Sequence, residues 1–338
     1  MEFGYKLSSE EHDPPNLLRH AARAEEVGFQ FAMISDHYHP WTDQQGQSPL
    51  IWSVLGRVAQ VTRRLKVGTA VTCPTFRYHP TIIAQAAATV ACMMPGRFML
   101  GVGSGENLNE HIIGEKWPEP PIRSEMLREA IEIIQTLWEG GFKSYYGEYF
   151  NVENARVYTL PDQLPPILVA ASGPTAAKLA GECGDGFIGL APKSELLQEA
   201  DQAAGVTLPK YAEVAVCWAE SERAAIETAH KWWPNAGISG QLSQELPLPL
   251  HFEQAAQTVR PEDVAQSIVC GPNPERIVAQ AKSYADAGYD HVWFHQVGPN
   301  QEGFFKFFEK ELSPALRSLG SGSTKEPTRP RAEVVSGP

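Results

Sequence analysis

The chain has 338 residues, 43% of them hydrophobic and 20% charged, a composition typical of a soluble enzyme with a substantial core. Its 28 Lys and Arg against 40 Asp and Glu give a formal charge of -12, which argues against nucleic acid and anionic membranes as partners. Five widely spaced cysteines without a C-x-x-C pair, no signal segment and no apolar run of about 18 residues lead us to expect a cytoplasmic protein with no metal site.

Predicted strands alternate with predicted helices along most of the chain. Short apolar runs predict strands over residues 3–7, 29–34, 65–71, 98–102, 166–171, 186–190, 213–218 and 291–295. Amphipathic patterns predict helices over residues 16–27, 51–62, 81–93, 125–138, 175–182, 222–232, 274–287 and 304–316. About eight such repeats favour a (β/α)8 TIM barrel of the α/β class over a doubly wound sheet.

Two segments interrupt this alternation. Aromatic residues around Gly147 predict a hairpin over residues 142–150, and the weak periodicity of residues 234–259 indicates a second insertion near the barrel mouth. We therefore expect one domain over residues 1–319. Residues 320–338, rich in Ser, Gly, Pro and charge, are predicted to form a disordered tail.

The most informative residues follow the second predicted strand, in the segment Ser35-Asp36-His37-Tyr38-His39-Pro40-Trp41. Strand ends are where α/β enzymes place their sites, and an aspartate, an imidazole and an indole together suit proton transfer beside a flat ligand. Asp and His at such a position can also simply cap a loop, so these residues alone leave both interpretations open.

Other strand ends add polar or small residues, and familiar motifs are absent. Glu10, Arg77 and Glu106 follow strands, and the small residues from Ala170 to Pro174 would let a phosphate reach the next helix N-terminus. Arg77 could pair with a carboxylate or touch a ligand. The chain lacks the P-loop, H-E-x-x-H and G-x-S-x-G motifs, and Gly101 to Gly105 lacks the dinucleotide-binding spacing. With these functions disfavoured, the remaining interpretation is acid and base chemistry on a bound ring.

Four segments together resemble one family, the luciferase-like deazaflavin-dependent oxidoreductases, in particular the F420-dependent glucose-6-phosphate dehydrogenases and secondary alcohol dehydrogenases. The segments are residues 35–41, 72–80, 101–110 and 184–187, and the likeness runs from Gly4 to about Leu319, least clearly after Trp232. The resemblance implies a bacterial luciferase-like barrel with insertions at the C-terminal face, a homodimer, and coenzyme F420 bound at the carboxyl ends of the strands.

The resemblance also implies roles for single residues. His37 matches the base that takes the hydroxyl proton of an alcohol or sugar as hydride leaves its carbon, and Glu106 matches the acid. Trp41 would cover the reacting carbon, and Glu10 would hold the substrate or tune the imidazole. The positions matched to the cofactor are Asp36 and Asn109 at its ring or tail, Ala70 and Val71 as a cis peptide behind the ring, Cys73 and Ala170 beside them, and Ala171, Ser172 and Gly173 near its phosphate.

The predicted substrate pocket departs from the glucose 6-phosphate pattern. Lys193 matches one phosphate-binding lysine, but Leu190 stands at a threonine, Gln266 at a second lysine and Asp290 at an arginine. Losing those donors weakens dianion binding, so we expect a neutral or less charged small-molecule alcohol, bulky and apolar, with Leu190 lining its site.

Two alternatives stay open: a flavin mononucleotide (FMN)-dependent monooxygenase of the same superfamily, and a non-catalytic F420-binding protein. The set of His37, Trp41 and Glu106 argues against both, because a carrier needs no base and acid beside its ring.

Overall fold

The computed structural model describes residues 1–238 and 240–319 and shows a closed parallel barrel. Its strands are β1 (Glu2–Leu7), β2 (Phe31–Ile34), β3 (Lys66–Thr69), β4 (Phe98–Val102), β5 (Lys143–Tyr146), β6 (Asn151–Ala155), β7 (Ile167–Ala170), β8 (Gly186–Gly189), β9 (Lys210–Cys217), β10 (Val269–Cys270) and β11 (His291–Gln296). The barrel runs β1-β2-β3-β4-β7-β8-β9-β11 and closes by pairing β11 with β1. These eight parallel strands confirm the predicted (β/α)8 barrel.

Helices follow the strands and cover the outside of the barrel. They are α1 (Pro14–Val27), α2 (Ile51–Val61), α3 (Pro80–Met93), α4 (Asn107–Glu110), α5 (Pro120–Trp138), α6 (Pro174–Cys183), α7 (Ser194–Ala204), α8 (Glu222–Trp232), α9 (Leu242–Glu245), α10 (Pro249–Ala256), α11 (Pro261–Ser267), α12 (Pro274–Ala287), α13 (Gln301–Phe307) and α14 (Ser313–Leu316). In the described part of the chain, none of these helices has the length and apolarity that a membrane crossing requires.

Local sequence explains most of these boundaries. At the start of α1, the Asp13 side chain accepts a hydrogen bond from the Asn16 amide, and Gly28 ends the helix in the left-handed region with φ 98°. The predictions for β4, α8 and α12 agree with the structure residue for residue. The helix predicted over residues 304–316 is instead α13 and α14 joined by a π-helical turn at Phe308–Leu312.

Alternation along the strands divides the core into two layers. A small cluster fills the barrel interior, including Phe31 and Met33 from β2, Leu168 from β7 and Trp293 from β11. The larger apolar layer lies between the strands and the helices and includes Ala32 and Ile34, the intervening residues of β2. The polar residues at the strand ends are therefore left at the rim of a packed barrel, where a ligand can reach them.

Both predicted insertions are present with more structure than expected. The hairpin is β5 paired with β6, so it extends to residue 155, beyond the predicted end at residue 150. The second insertion contains a 3-10 turn at Pro234–Gly237 together with α9 and α10, and α11 and β10 follow it. Helix α7 and the first residues of β9 were not predicted. The tail predicted over residues 320–338 lies outside the described residues.

Candidate active site

A cavity of about 320 Å³ opens at the carboxyl ends of the strands. That volume lies in the usual range of ligand pockets, about 300 to 1,000 Å³. Its wall includes all the residues predicted to be catalytic: Glu10, His37, Trp41 and Glu106. Most of the predicted cofactor residues line it too, together with Leu190: Asp36, Ala70, Val71, Cys73, Asn109, Ala170, Ala171 and Ser172. The carboxyl ends of six different strands therefore converge on one site.

His37 lies between two carboxyl groups. Its Nε2 is 3.4 Å from Glu10 Oε1 and 3.6 Å from Glu106 Oε2. Its Nδ1 is 3.2 Å from the His39 carbonyl oxygen, so a proton on Nδ1 leaves the Nε2 lone pair facing the cavity. The Trp41 ring lies 5.1 Å from the imidazole, inclined by 57°. This arrangement can take a proton at Nε2 and stabilise the resulting charge.

The two carboxyl groups have opposite ionisation tendencies. Burial alone would raise the pKa of Glu10, but the charges of His37 and Lys6 and a hydrogen bond from Ser35 outweigh it and lower the pKa to about 2. Burial raises the pKa of Glu106, against the charge of His37 and with the charge of Glu10. Glu10 is therefore a carboxylate at neutral pH, whereas Glu106 keeps a proton to higher pH than an ordinary glutamate. Two carboxyls whose environments separate their pKa values can serve as a counter-ion and an acid.

Asn109 fixes the loop that carries His37. Its Oδ1 accepts hydrogen bonds from the backbone amides of Tyr38 at 2.8 Å and His39 at 3.2 Å. Its Nδ2 therefore points the other way and donates to Glu106 Oε2 at 3.2 Å. It also lies 3.2 Å from His37 Nδ1, whose own proton goes to the His39 carbonyl oxygen. Asn109 lies on the short helix α4 and is buried. The residue predicted to touch the cofactor thus also sets the position of the base and the acid.

The Asp36 carboxylate is occupied by protein partners. Its Oδ2 accepts a hydrogen bond from the Thr72 hydroxyl at 2.8 Å, and its Oδ1 pairs with Arg77 Nη2 at 3.1 Å. Of the two roles left open for Arg77, the pairing with a carboxylate is the one observed. Burial raises the pKa of the neighbouring Glu110 to about 7 despite the Arg77 charge. This buried cluster supports the cavity wall from behind.

Small residues and a cis peptide form the opposite wall. The peptide bond between Ala70 and Val71 is cis, as predicted. A side chain at Gly103 would place its Cβ 2.6 Å from Val71 Cγ2, so this wall requires a glycine there. Ser172 lies in the wall just before α6, whose first amides have no side-chain cap. The small residues leave room for a ligand beside the cis peptide, and the first turn of α6 has backbone amides that can bind an anion.

Several cavity residues were not predicted. Lys6 and Glu213 lie inside the barrel, and Trp233, Asn235 and Gln244 come from the end of α8 and the insertion that follows it. The sequence of β9 offers a signal for Glu213, because it alternates with the apolar residues Ala212, Val214 and Val216 of the outer layer. A glutamate on the inner face of a barrel strand must be paired or functional. The three insertion residues carry no comparable pattern.

Four predicted residues lie outside the cavity wall. Gly173 stands next to Ser172 as the N-cap of α6, while Lys193 and Gln266 are exposed and line no part of the cavity. The assignment of Asp290 to the substrate site is wrong, because Asp290 directly precedes β11 and bonds to the Lys210 amide at 2.8 Å, at the amino ends of the strands.

A second cavity of about 140 Å³ adjoins the first and shares Leu190 and Glu213 with it. It lies beside residues 213–215 of β9, between the part of this strand that pairs with β8 and the part that pairs with β10. Its wall also contains Ser267, Gln280 and Tyr284. Over residues 1–238 and 240–319, no group of three or more His, Cys, Asp or Glu side chains is placed to hold a metal ion.

Comparison with known proteins shows the family of the chain. The family model described as luciferase-like monooxygenase matches residues 1–291. The chain belongs to this family. It is 36% identical to the F420-dependent glucose-6-phosphate dehydrogenase of Mycobacterium avium over 334 residues, covering 95% of this chain and 99% of the relative. It is 37% identical to the enzyme of the same name from Rhodococcus erythropolis, with the same coverage.

Among solved structures of the family, the chain is similar to an F420-dependent secondary alcohol dehydrogenase in complex with an F420-acetone adduct. The TM-score is 0.86 and the sequence identity 30%, over 94% of this chain and 99% of that one. A tetrahydromethanopterin reductase from Methanopyrus kandleri shares the fold, with a TM-score of 0.76, 24% identity, and coverage of 93% and 99%. The predicted luciferase-like F420 family is confirmed by these matches.

Proposed function

We propose that this chain is an F420-dependent dehydrogenase that removes hydride from the CH-OH group of an uncharged alcohol, with His37 as base and Glu106 as acid. The observation that carries the proposal is the position of His37 Nε2 between Glu10 and Glu106 at the edge of a ligand-sized cavity. Relatives named as F420-dependent dehydrogenases support the choice of cofactor.

The residues present fit such a cofactor. Its ring would lie against the cis peptide of Ala70 and Val71, with Cys73 and Ala170 beside it, and its phosphate would meet the segment from Ala171 to Gly173 at the start of α6. Coenzyme F420, when bound, supplies the ring that accepts the hydride.

The protein moves the proton. His37 Nε2 takes it from the substrate hydroxyl, and the imidazolium then lies 3.4 Å from the Glu10 carboxylate, which stabilises it. Glu106 holds a proton on its carboxyl group, whose Oε2 accepts a hydrogen bond from Asn109 Nδ2 at 3.2 Å. Trp41 excludes water from His37 and is held in place by Phe252 of α10, ring to ring at 5.1 Å. Such acid and base groups typically contribute about 10² to 10⁴ in rate.

The charges around the cavity favour an uncharged substrate. Among the residues of 1–238 and 240–319 that line it, Lys6 is the one lysine or arginine, and it already pairs with Glu213 at 3.0 Å. Glu10 and Glu106 also face the cavity, so a phosphate dianion would meet more carboxyl groups than cations. Asn235 Oδ1 is buried in the described structure without a hydrogen-bond partner, and a substrate hydroxyl can donate to it, whereas a phosphate dianion cannot.

The test is a reaction of the protein with oxidised F420 and a neutral secondary alcohol, followed by loss of the visible absorbance of the cofactor. His37→Ala and Glu106→Gln should each lower kcat by about 10²-fold or more while leaving F420 bound. If the protein binds F420 and both variants turn over the alcohol as fast as the wild type, the roles given to His37 and Glu106 are wrong. If the wild type binds F420 but turns over no alcohol, the protein is not the proposed enzyme. Binding of FMN with oxygen consumption, and none of F420, would favour the monooxygenase instead.

Two further expectations belong to the same proposal. The family resemblance implies a homodimer, which sedimentation of the purified protein would test. A cytoplasmic location is proposed from the five cysteines, which are widely spaced in the sequence and form no C-x-x-C pair.

A further inference from the structure

Lys6 places a buried ammonium group at the wall of the cavity. It comes from β1, its side chain is 8% exposed, and its Nζ donates to Glu213 Oε2 at 3.0 Å. An ammonium group has three N–H donors. Within residues 1–238 and 240–319, Glu213 is the one hydrogen-bond acceptor that Lys6 has. A buried charge with unpaired donors is unfavourable, so the remaining donors need acceptors from water or from a molecule bound in the cavity.

A chain of buried partners holds this ammonium group in place. Glu213 Oε2 also accepts from Trp293 Nε1 at 2.8 Å, and Glu213 Oε1 lies 3.3 Å from His295 Nδ1. His295 Nε2 lies 3.2 Å from Glu11 Oε2, and the other oxygen of Glu11 accepts from the Gly298 amide at 2.8 Å. Lys6 is thus fixed by packed strands, which is the arrangement that a preorganised binding group needs.

The hydrogen-bonded series of Glu213, His295 and Glu11 leaves Lys6 able to bind a further oxygen atom. Burial alone would lower the pKa of His295, but hydrogen bonds and charges of Glu11 and Glu213 raise it to about 9, so the imidazole is a cation at neutral pH. Glu213 therefore divides its charge between His295 and Lys6, and it accepts from Trp293 as well. Its carboxylate cannot satisfy all the donors of Lys6, and the free donors belong to a group that lines the cavity.

We propose that Lys6 is a ligand-binding residue, whose ammonium group donates a hydrogen bond to an oxygen atom of the molecule held in the cavity. This inference rests on the proposed function, in which that molecule is the cofactor or the alcohol. The oxygen is a ring carbonyl of the deazaflavin or the reacting oxygen of the substrate. Both are acceptors with partial negative charge, the chemistry that a fixed ammonium group recognises.

The experiment compares Lys6→Met with Lys66→Met, which removes an exposed lysine paired with Glu2 at 3.5 Å outside the cavity. The dissociation constant for oxidised F420, measured by titration, and the KM and kcat for a neutral alcohol are obtained for both variants and the wild type. The double variant Lys6→Met/Glu213→Gln removes both charges of the pair, and it is measured in place of Lys6→Met if the single variant does not fold.

If Lys6 binds a ring carbonyl of F420, the F420 dissociation constant should rise at least tenfold in Lys6→Met. If Lys6 binds the substrate oxygen, the F420 dissociation constant should stay unchanged and kcat/KM should fall at least tenfold. Lys66→Met should match the wild type in both measurements. A folded Lys6 variant, single or double, with wild-type F420 affinity and kcat/KM overturns the assignment. A wild-type protein that binds no F420 overturns both the assignment and the proposed function.

Discussion

Replacing Asn109 with alanine tests how the base is positioned. The substitution removes the acceptor for the Tyr38 and His39 amides and the donor to Glu106. A hydrogen bond contributes about 0.5 to 1.5 kcal/mol, and an unsatisfied buried donor costs about 1 to 3 kcal/mol. Because water can reach the partly buried loop amides, we expect a loss of about 2 to 3 kcal/mol of unfolding free energy, or roughly 3 to 5 °C in Tm for a chain of this length.

Activity should fall as well in this variant. The loop that carries His37 loses its anchor, and a misplacement of about 1 Å in a catalytic group can cost about 10²-fold in rate. We therefore expect kcat/KM to drop about 100-fold in the F420 absorbance assay, at a temperature well below the Tm of the variant.

Asn109→Asp is the matched control. It keeps the acceptor for the two loop amides, so its Tm should stay close to that of the wild type. The new carboxylate next to His37 favours the protonated imidazole, so activity should begin at higher pH than in the wild type. Wild-type Tm together with wild-type kcat/KM in Asn109→Ala would refute the reasoning, and so would identical pH profiles of Asn109→Asp and the wild type.

Two other predictions concern stability. Gly101→Ala would place a Cβ 1.9 Å from the Thr69 carbonyl oxygen, so urea unfolding should show a loss of about 3 kcal/mol or more. Gly173→Ala has no atom within 4 Å of its Cβ and should lose only about 1 kcal/mol, because Gly173 is the N-cap of α6 and alanine is a poorer cap; equal losses would contradict this view of the barrel. The raised pKa of His295, about 9, gives stability that is fully present below its ordinary value and is lost as the pH rises through 9. His295→Gln should therefore be less stable than the wild type by more at about pH 6 than at about pH 9.5, and a gap that widens with pH would contradict the proposed ion pairs.

Strand ends could be predicted from the sequence because their rule is local. A buried strand followed by Asp36, His37 and Trp41 places these side chains at the barrel rim, whatever the rest of the chain does. Glu10 and Glu106 follow strands in the same way, so the geometry that brings the four predicted catalytic residues together comes from the barrel itself.

The other half of the cavity depends on long-range packing. Trp233, Asn235 and Gln244 reach it because the insertion after α8 folds back over the rim, where Phe252 packs on Trp41. Nothing in the local pattern of that insertion encodes the contact. Helix α7 was missed although its sequence is amphipathic, with buried Leu196, Leu197 and Ala200.

Asp290 shows how a match by resemblance can conflict with a local rule. The strand predicted over residues 291–295 begins just after it, so a residue at position 290 belongs to the amino end of that strand, whereas the site lies at the carboxyl ends. The structure places it there, bonded to the Lys210 amide and to His291. The rule for parallel strands was sufficient to reject the assignment.

The preference for an uncharged alcohol over glucose 6-phosphate is the central claim and can be measured directly. The purified protein would be mixed with oxidised F420 and either a neutral secondary alcohol or glucose 6-phosphate, and kcat/KM obtained from the loss of cofactor absorbance. The carboxyl groups around the cavity and the exposed position of Lys193 predict a kcat/KM at least about tenfold higher for the alcohol. A kcat/KM for glucose 6-phosphate equal to or above that of every neutral alcohol tested would contradict the account.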